Sequence, residues 1–407
     1  MFNCTTEADM IERLLAPKLR QAARHFPVVT LTGPRQSGKT TLVRTVFASH
    51  DYVSLEPPDH RRFAIEDPRG FLGQFDRPVI LDEAQRAPDL FSYIQGMVDE
   101  RPGRTGRFIL TGSQNFLLLQ SISQSLAGRC AVLHLLPLSQ AEILGRNPLP
   151  IPAWGRELPK APPAPSAGLM ETLCAGAYPR IHDRRLAPRD WLAGYYQTYL
   201  ERDVRNVLNV GDMEAFGRFV RLCAGRCGQL LSLSGLAEDC GISHTSARRW
   251  LSVLEASFII ALLRPHHRNF GKRIIKSPKL YFLDTGLLCY LLEIRSSKEL
   301  LHRAERGAVF ESFVVSELYK NYTHRGEQPR LHFWRDIGGR EVDVLLDQGT
   351  ELTPVEVKSG QTIAPGFFDG LAHWRALAGE ETPAALVYGG EEMYRRKGVC
   401  VYPWHVI

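Results

Sequence analysis

The sequence predicts an α/β protein: a parallel sheet covered by helices on both faces, then a mainly helical module, then a second α/β unit. Three observations carry this. From Met1 to about Leu144, short apolar runs alternate with helical patterns, with expected strands at Val28–Thr32, Tyr52–Leu55, Val79–Leu81, Arg107–Leu110 and Ala131–Leu135. Buried strands separated by helices read as a parallel sheet. From Leu169 to about Leu263 the periodicity is helical. Beyond Leu301 it changes again, with a helix expected over Ala308–Tyr322 and strands at Leu331–Trp334, Val342–Leu346 and Thr353–Lys358.

The expected boundaries are therefore 1–145 for the first domain, 169–290 for the helical module and 300–407 for the last domain. Between the first two lies a Pro- and Ala-rich stretch, Asn147 to Gly168, with seven prolines. Such a composition predicts a linker or surface insertion without a packed element. The 407 residues suffice for two or three cores, and 44% hydrophobic with 23% charged residues is ordinary globular composition. A net charge of +6 permits contact with nucleic acid without requiring it. The eight cysteines include no CxxC pair, as expected for reduced thiols. Cys223 and Cys227 share a helix face, and core packing explains them better than zinc. The N-terminus lacks the basic start and apolar run of a signal peptide, and apolar stretches such as Ser257–Leu263 are too short to span a bilayer. No membrane is expected as a partner, and the expected location is the cytoplasm.

The first expected strand runs into GPRQSGKT, Gly33 to Thr40, and an amphipathic helix follows. This is the GxxxxGK[ST] loop in its strand–loop–helix setting, so the first domain is expected to be a P-loop NTPase parallel sheet. Gly33 and Gly38 allow backbone N–H groups to turn around phosphate oxygens, and the helix N-terminus adds positive potential. The expected contacts of ATP are Gly33, Pro34, Arg35, Gln36, Ser37, Gly38, Lys39, Thr40 and Thr41. Lys39 is the expected partner of the β- and γ-phosphates, and the Thr40 hydroxyl a ligand of Mg²⁺.

A second motif, PVILDEAQ from Pro78 to Gln85, ends a buried strand on two carboxylates. Asp82 is expected to hold Mg²⁺ through water, and Glu83 to polarise the attacking water. A third strand ends in ILTGSQN, where Ser113, Gln114 or Asn115 is placed to orient that water. In SLAGRC, Arg129 has two readings: an arginine finger for a neighbouring copy's nucleotide, or the partner of a nearby carboxylate.

This order of motifs resembles a family of prokaryotic AAA-type P-loop ATPases in which the ATPase core is joined to a C-terminal domain of uncharacterised function. GAYP at Gly176–Pro179, TYLERDV at Thr198–Val204, FESFVVSEL at Phe310–Leu318 and FWRD at Phe333–Asp336 extend the likeness over nearly the whole chain. The family usually reads GGYP, so Ala177 is a small departure. The resemblance implies an AAA-type ATPase domain, a winged-helix module and a nuclease-like C-terminal domain. It also implies work as a homo-oligomer, with Arg129 acting in trans and Arg202 or Arg205 sensing nucleotide from the helical side.

LSGLAEDCGISHTSARRWLSVLEASFII has helix-turn-helix spacing, with a first helix over Leu233–Cys240, the turn at Gly241 and a cap at Ser243. His244, Thr245, Arg248 and Arg249 are expected on the exposed face of the second helix. Arg264, His266, His267, Arg268, Lys272, Arg273, Lys276 and Lys279 follow, in the place of the wing. That density of cations favours DNA as the partner, held through phosphates. The alternative is a packing module, with the whole chain an ATP-driven switch or scaffold acting on a protein partner.

In the last domain, Glu311 on a helix, Asp343 in EVDVLL, and Glu356 with Lys358 in PVEVKSG form a carboxylate–lysine constellation. Side chains alternate along a strand, so Glu356 and Lys358 share a face, and Glu341 shares one with Asp343. The pattern resembles that of PD-(D/E)xK nucleases. It implies a Mg²⁺ site at Glu311, Asp343 and Glu356, with Lys358 assisting the attacking water. An intact set of this kind also suits binding of DNA ends without cleavage.

Overall fold

The computed structural model describes residues 11–113, 125–160, 162–198, 213–266, 276–336, 338–379 and 381–407. Within them, the first domain is a five-stranded, all-parallel sheet: β1 (Val28–Thr32), β2 (Asp51–Ser54), β3 (Val79–Asp82), β4 (Phe108–Gly112) and β5 (Cys130–His134). Its strand order is β2-β3-β4-β1-β5. The expected strands are all present, with ends displaced by a residue or two where polar residues extend the pairing. β4 pairs with β1 on one side and β3 on the other. The end of β4 is thereby delivered between the P-loop and the Asp82–Glu83 pair.

Alternation along each strand fills two apolar layers. Val28, Leu81, Phe108 and Leu110 pack with Leu90, Phe91 and Ile94. Val29, Leu31, Ile80 and Ile109 pack on the other face with Leu15, Leu19, Leu42 and Val43.

Most of the described remainder packs around one large core reaching from Leu149 to Ile407, with smaller apolar clusters beside it. An eight-stranded mixed sheet runs through it. Its strands are β6 (Ile260–Pro265), β7 (Lys279–Phe282), β8 (Leu331–Arg335), β9 (Glu341–Asp347), β10 (Leu352–Lys358), β11 (Ala385–Tyr388), β12 (Tyr394–Arg396) and β13 (Val399–Pro403). The order is β12-β13-β11-β10-β9-β8-β6-β7. The antiparallel pair β6–β7 lies in the stretch expected to hold the wing, yet β6 also pairs in parallel with β8. Pairing of this kind covers an edge that an isolated hairpin leaves open. The helical module and the C-terminal α/β unit are therefore continuous in packing.

The Pro-rich stretch departs from expectation in its first half. Leu149, Ile151, Ala153 and Trp154 are buried in the shared core, and Ile151–Ala153 forms a turn of 3-10 helix. Trp154 stands edge-on to Tyr402 at 5.4 Å between ring centroids, and the Tyr402 hydroxyl accepts from Gly155 N at 3.1 Å. Proline removes a backbone donor without preventing apolar burial, so the segment can cross the sheet without joining it. Arg156, Glu157 and Leu158 then return to the surface.

Candidate functional site

At the C-terminal edge of the parallel sheet, β1 gives way to the loop and the helix Lys39–Val46 begins at Gly38. Gly33 and Gly38 have φ of 151° and 92°, in the region that favours glycine. A Cβ on Gly33 would stand 2.1 Å from the Leu135 carbonyl oxygen, so the strand–loop junction admits no side chain there. A Cβ on Gly38 would meet Arg13 Nη1 at 3.4 Å and Pro179 Cγ of GAYP at 3.8 Å.

Lys39 is buried, and its ammonium donates to the Gly33 and Pro34 carbonyls at 2.9 and 2.8 Å. Burial pushes the group down to about 8, against the opposing pull of Glu83 and Asp82. Ser37 Oγ is buried with no hydrogen-bond partner in the structure, and an orphaned buried hydroxyl on such a loop suits an incoming phosphate oxygen.

Thr40 Oγ1 donates to both oxygens of Asp82, at 3.1 and 3.0 Å. Asp82 also accepts from the Tyr52 hydroxyl at 2.9 Å and from Thr111 Oγ1 in a short contact. Glu83, with φ of 55°, turns out of the strand line. Its Oε2 accepts from Ser113 Oγ at 3.0 Å and from Gln85 Nε2 at 2.5 Å. The expected residues Lys39, Thr40, Asp82, Glu83 and Ser113 are thus brought together. Tyr52 and Thr111 are additions that sequence reading did not single out. The hydroxyl and carboxylate oxygens of Thr40 and Asp82 are hard donors of the kind Mg²⁺ takes. Gln114, Asn115, Arg202 and Arg205 lie outside the described residues.

Arg129 sits at the opposite end of the strands, its carbonyl accepting from Val28 N at the start of β1. Five residues of strand place it about 16 Å from its own P-loop. It pairs with Asp99 through Nε at 2.6 Å and Nη2 at 2.9 Å. Of the two readings, the carboxylate partner is present within the chain, and a finger from this position serves only another copy's nucleotide.

The loop is braced from beneath. Arg13 donates to the Ser37 carbonyl at 2.6 Å, the Leu136 carbonyl at 2.7 Å and Glu142 Oε1 at 3.1 Å. Glu142 caps the next helix through Ser139 N at 2.8 Å, and His324 Nδ1 lies 3.4 Å from its second oxygen. Neither Arg13 nor Glu142 belongs to a motif, and 129 residues separate them.

In the helical module, the helices Leu233–Cys240 and His244–Ala256 flank Gly241, whose φ is 72°. Ser243 caps the second helix by accepting from Ser246 N. His244, Thr245, Arg248, Arg249 and Lys276 are exposed. His267, Arg268, Lys272 and Arg273 lie outside the described residues. Cys223 and Cys227 are buried in the shared core, where burial pushes Cys227 up to about 11.

The C-terminal constellation assembles with one substitution of membership. Carboxylate oxygens of Glu311, Glu341 and Asp343 lie within 4.8 Å of one another. Glu356 is outside that trio, with Oε1 taking Lys358 Nζ at 2.5 Å and Oε2 buried without a partner. Lys358 is also 3.5 Å from Asp343 Oδ2. Lys279, expected on the basic wing, is instead almost fully buried here. Its Nζ is 3.2 Å from Glu311 Oε1 and in a closer ion pair with Glu341. Tyr281, two residues on, donates to Glu311 Oε1 at 2.5 Å. The set does not fit Mg²⁺ as it stands, because an ammonium already lies among the oxygens.

The sequence profile of the AAA domain matches residues 25–144. Profiles of two domains of unknown function, DUF8612 and DUF4143, match residues 166–298 and 306–407. Uncharacterized protein Rv2008c of Mycobacterium tuberculosis and Uncharacterized protein Mb2031c of Mycobacterium bovis are each 33% identical over 357 residues, spanning 87% of this chain and 75% of the relative. The chain belongs to this family of AAA-type P-loop ATPases ending in a DUF4143 domain. Among solved structures, it is similar to the Walker-type ATPase of Pyrococcus abyssi (TM-score 0.46, 14% identity, 71% of this chain and 97% of that one). It is also similar to the RuvB Holliday junction branch migration motor of Thermotoga maritima (TM-score 0.31, 18% identity, 61% and 88%). Among the described residues of this AAA-type protein, no helix is long and apolar enough to cross a membrane.

Proposed function

We propose that this protein hydrolyses ATP at the P-loop site and uses the energy on DNA. The observation that carries the hydrolytic part is the placement of Glu83. Ser113 and Gln85 hold its carboxylate beside the Asp82–Thr40 pair, at the mouth of the phosphate loop. A carboxylate so restrained accepts a proton from water lined up on the γ-phosphate, while Lys39 balances the charge that develops. Mg²⁺, when bound, would be held by Thr40 directly and by Asp82, and would neutralise phosphate oxygens. Glu83→Gln should leave ATP binding intact and abolish turnover. Full turnover in that variant would remove Glu83 from its role.

For DNA, the support is the exposed Arg248–Arg249 pair on a capped second helix after a tight turn, followed by a cation-rich segment. Assaying ATP hydrolysis with double-stranded, branched and single-stranded DNA tests this. The expected result is stimulation, with binding that weakens steeply in salt. Replacing both arginines with glutamate should lower the salt-dependence slope by about 1.8, from two lost phosphate contacts. Absence of stimulation and of salt-sensitive binding would leave the ATPase reading and remove DNA. A second reading, an ATP-driven switch on a protein partner, is favoured by β6 pairing with β8, which gives the expected wing a packing role. In either reading the C-terminal domain binds without cleaving, a view supported by Lys279 among its carboxylates.

A further inference from the structure

We propose that Lys279 is a built-in counter-ion that keeps divalent cations out of the acidic cluster of the C-terminal domain. β7, at the edge of the eight-stranded sheet, brings this lysine to three acids carried by a helix and by β9. All four residues of β7 are buried, and the Lys279 ammonium ends among the carboxylates of the cluster. Nζ lies 3.2 Å from Glu311 Oε1 and closer still to Glu341 Oε1, and the Phe333 ring centroid is 5.7 Å away. A buried ammonium is costly unless paired. Here the oxygens of Glu311, Glu341 and Asp343, within 4.8 Å of one another, supply that pairing.

The same oxygens need a positive charge among them. Three carboxylates this close, each half-buried, repel one another. A hard dication with oxygen ligands would answer that need equally well, but it cannot share the space with the ammonium. Lys279 is tethered, so its local concentration is fixed by the fold, whereas an ion must compete from solution. The remaining charges keep the same logic. Lys358 is shared between Glu356 and Asp343, and Arg335 Nη1 reaches Glu341 Oε2 at 3.2 Å. Removing the Lys279 charge therefore leaves the Glu311–Glu341–Asp343 trio short of a cation. This inference deepens the non-cleaving reading of the C-terminal domain, and its test is independent of the ATPase and DNA readings.

The test is terbium luminescence on the full chain without nucleotide, sensitised by Tyr281, whose hydroxyl contacts Glu311. The signal counted is the part lost on Glu311→Gln. At one fixed Tb³⁺ concentration, Lys279→Met, close in length and uncharged, should gain Glu311-dependent emission about tenfold or more above the background of the unaltered chain. Lys279→Arg should not. In the unaltered chain, Glu311→Gln should leave terbium emission unchanged. Two results overturn the proposal: Tb³⁺ emission from the unaltered chain that depends on Glu311, or a folded Lys279→Met variant with no gain. The first is decided even if Lys279→Met does not fold.

Discussion

Arg13→Met isolates the brace beneath the P-loop, because methionine keeps most of the apolar stem and removes every bond the guanidinium donates. The arginine contacts the Ser37 carbonyl at 2.6 Å, the Leu136 carbonyl at 2.7 Å and Glu142 at 3.1 Å. The Glu142 side chain is fully buried. Breaking a buried ion pair from one side costs about 3–5 kcal/mol, since the other charge stays behind. His324 remains near Glu142 and softens the loss, which sets the expectation at about 3 kcal/mol. Against a typical domain stability of about 5–15 kcal/mol, that is a large fraction. The assay is denaturant unfolding followed with Glu142→Gln and the double variant, so that the coupling between the two residues is measured directly. A coupling of about 1 kcal/mol or more is expected for groups in one network. The pH dependence supplies a second check. Burial alone would raise Glu142, but His324, Arg13 and the Ser139 backbone hold it well below the usual carboxylate range. A depressed carboxyl stabilises above its unfolded value, about 4.5, and loses that contribution as pH falls toward the folded value. Glu142→Gln should therefore flatten stability below pH 4.5. Additive single effects, or a loss under about 1 kcal/mol for Arg13→Met, would refute the brace.

Two further outcomes follow from the same contacts. Burial holds Lys39 down to about 8, and triphosphate would restore its charge, so ATP binding at pH 8 should take up about half a proton. Calorimetry in buffers of different ionisation enthalpy reads this directly, and a binding enthalpy independent of buffer refutes it. Trp154→Ala should destabilise the C-terminal unit by about 3–5 kcal/mol in denaturant unfolding, because the indole is fully buried against Tyr402. A change under about 1 kcal/mol would return that segment to the status of a linker.

What could be read from the sequence was what eight or fewer contiguous residues encode. Gly33, Gly38, Lys39 and Thr40 specify loop backbone and phosphate chemistry together, so their positions followed from spacing. Asp82 and Glu83 were legible because a buried strand ending on two acids is itself a local pattern. Thr111 and Tyr52 were not, since they reach Asp82 only because β4 lies between β1 and β3 and β2 lies beside β3. Strand order is a long-range property. Arg13 and Glu142 meet for the same reason. Trp154 carried a signal that composition masked: Leu149, Ile151 and Trp154 interleave with the prolines and offer apolar surface. Lys279 was misread by the company it keeps in sequence. The KLYF pattern, with Lys279 and Tyr281 on one face of a buried strand, was the clue that it faces inward.

The long helix Arg306–Thr323 joins these two sets of unforeseen contacts. Glu311, near its start, belongs to the acidic cluster with Lys279. Glu317 accepts from Gln140 N at 2.7 Å and pairs with Lys320 at 2.8 Å, and His324, just past its end, lies against Glu142. Thirteen residues of helix separate Glu311 from His324, about 20 Å at the usual rise. The helix is buried along most of its length, so a displacement at one end must be accommodated by close-packed neighbours. Contacts therefore run from the P-loop through Ser37, Arg13 and Glu142 to one end of this helix, and the other end carries Glu311 of the acidic cluster. Coupling along this route would appear as a change in ATP affinity on Glu311→Gln, and an unchanged affinity refutes it.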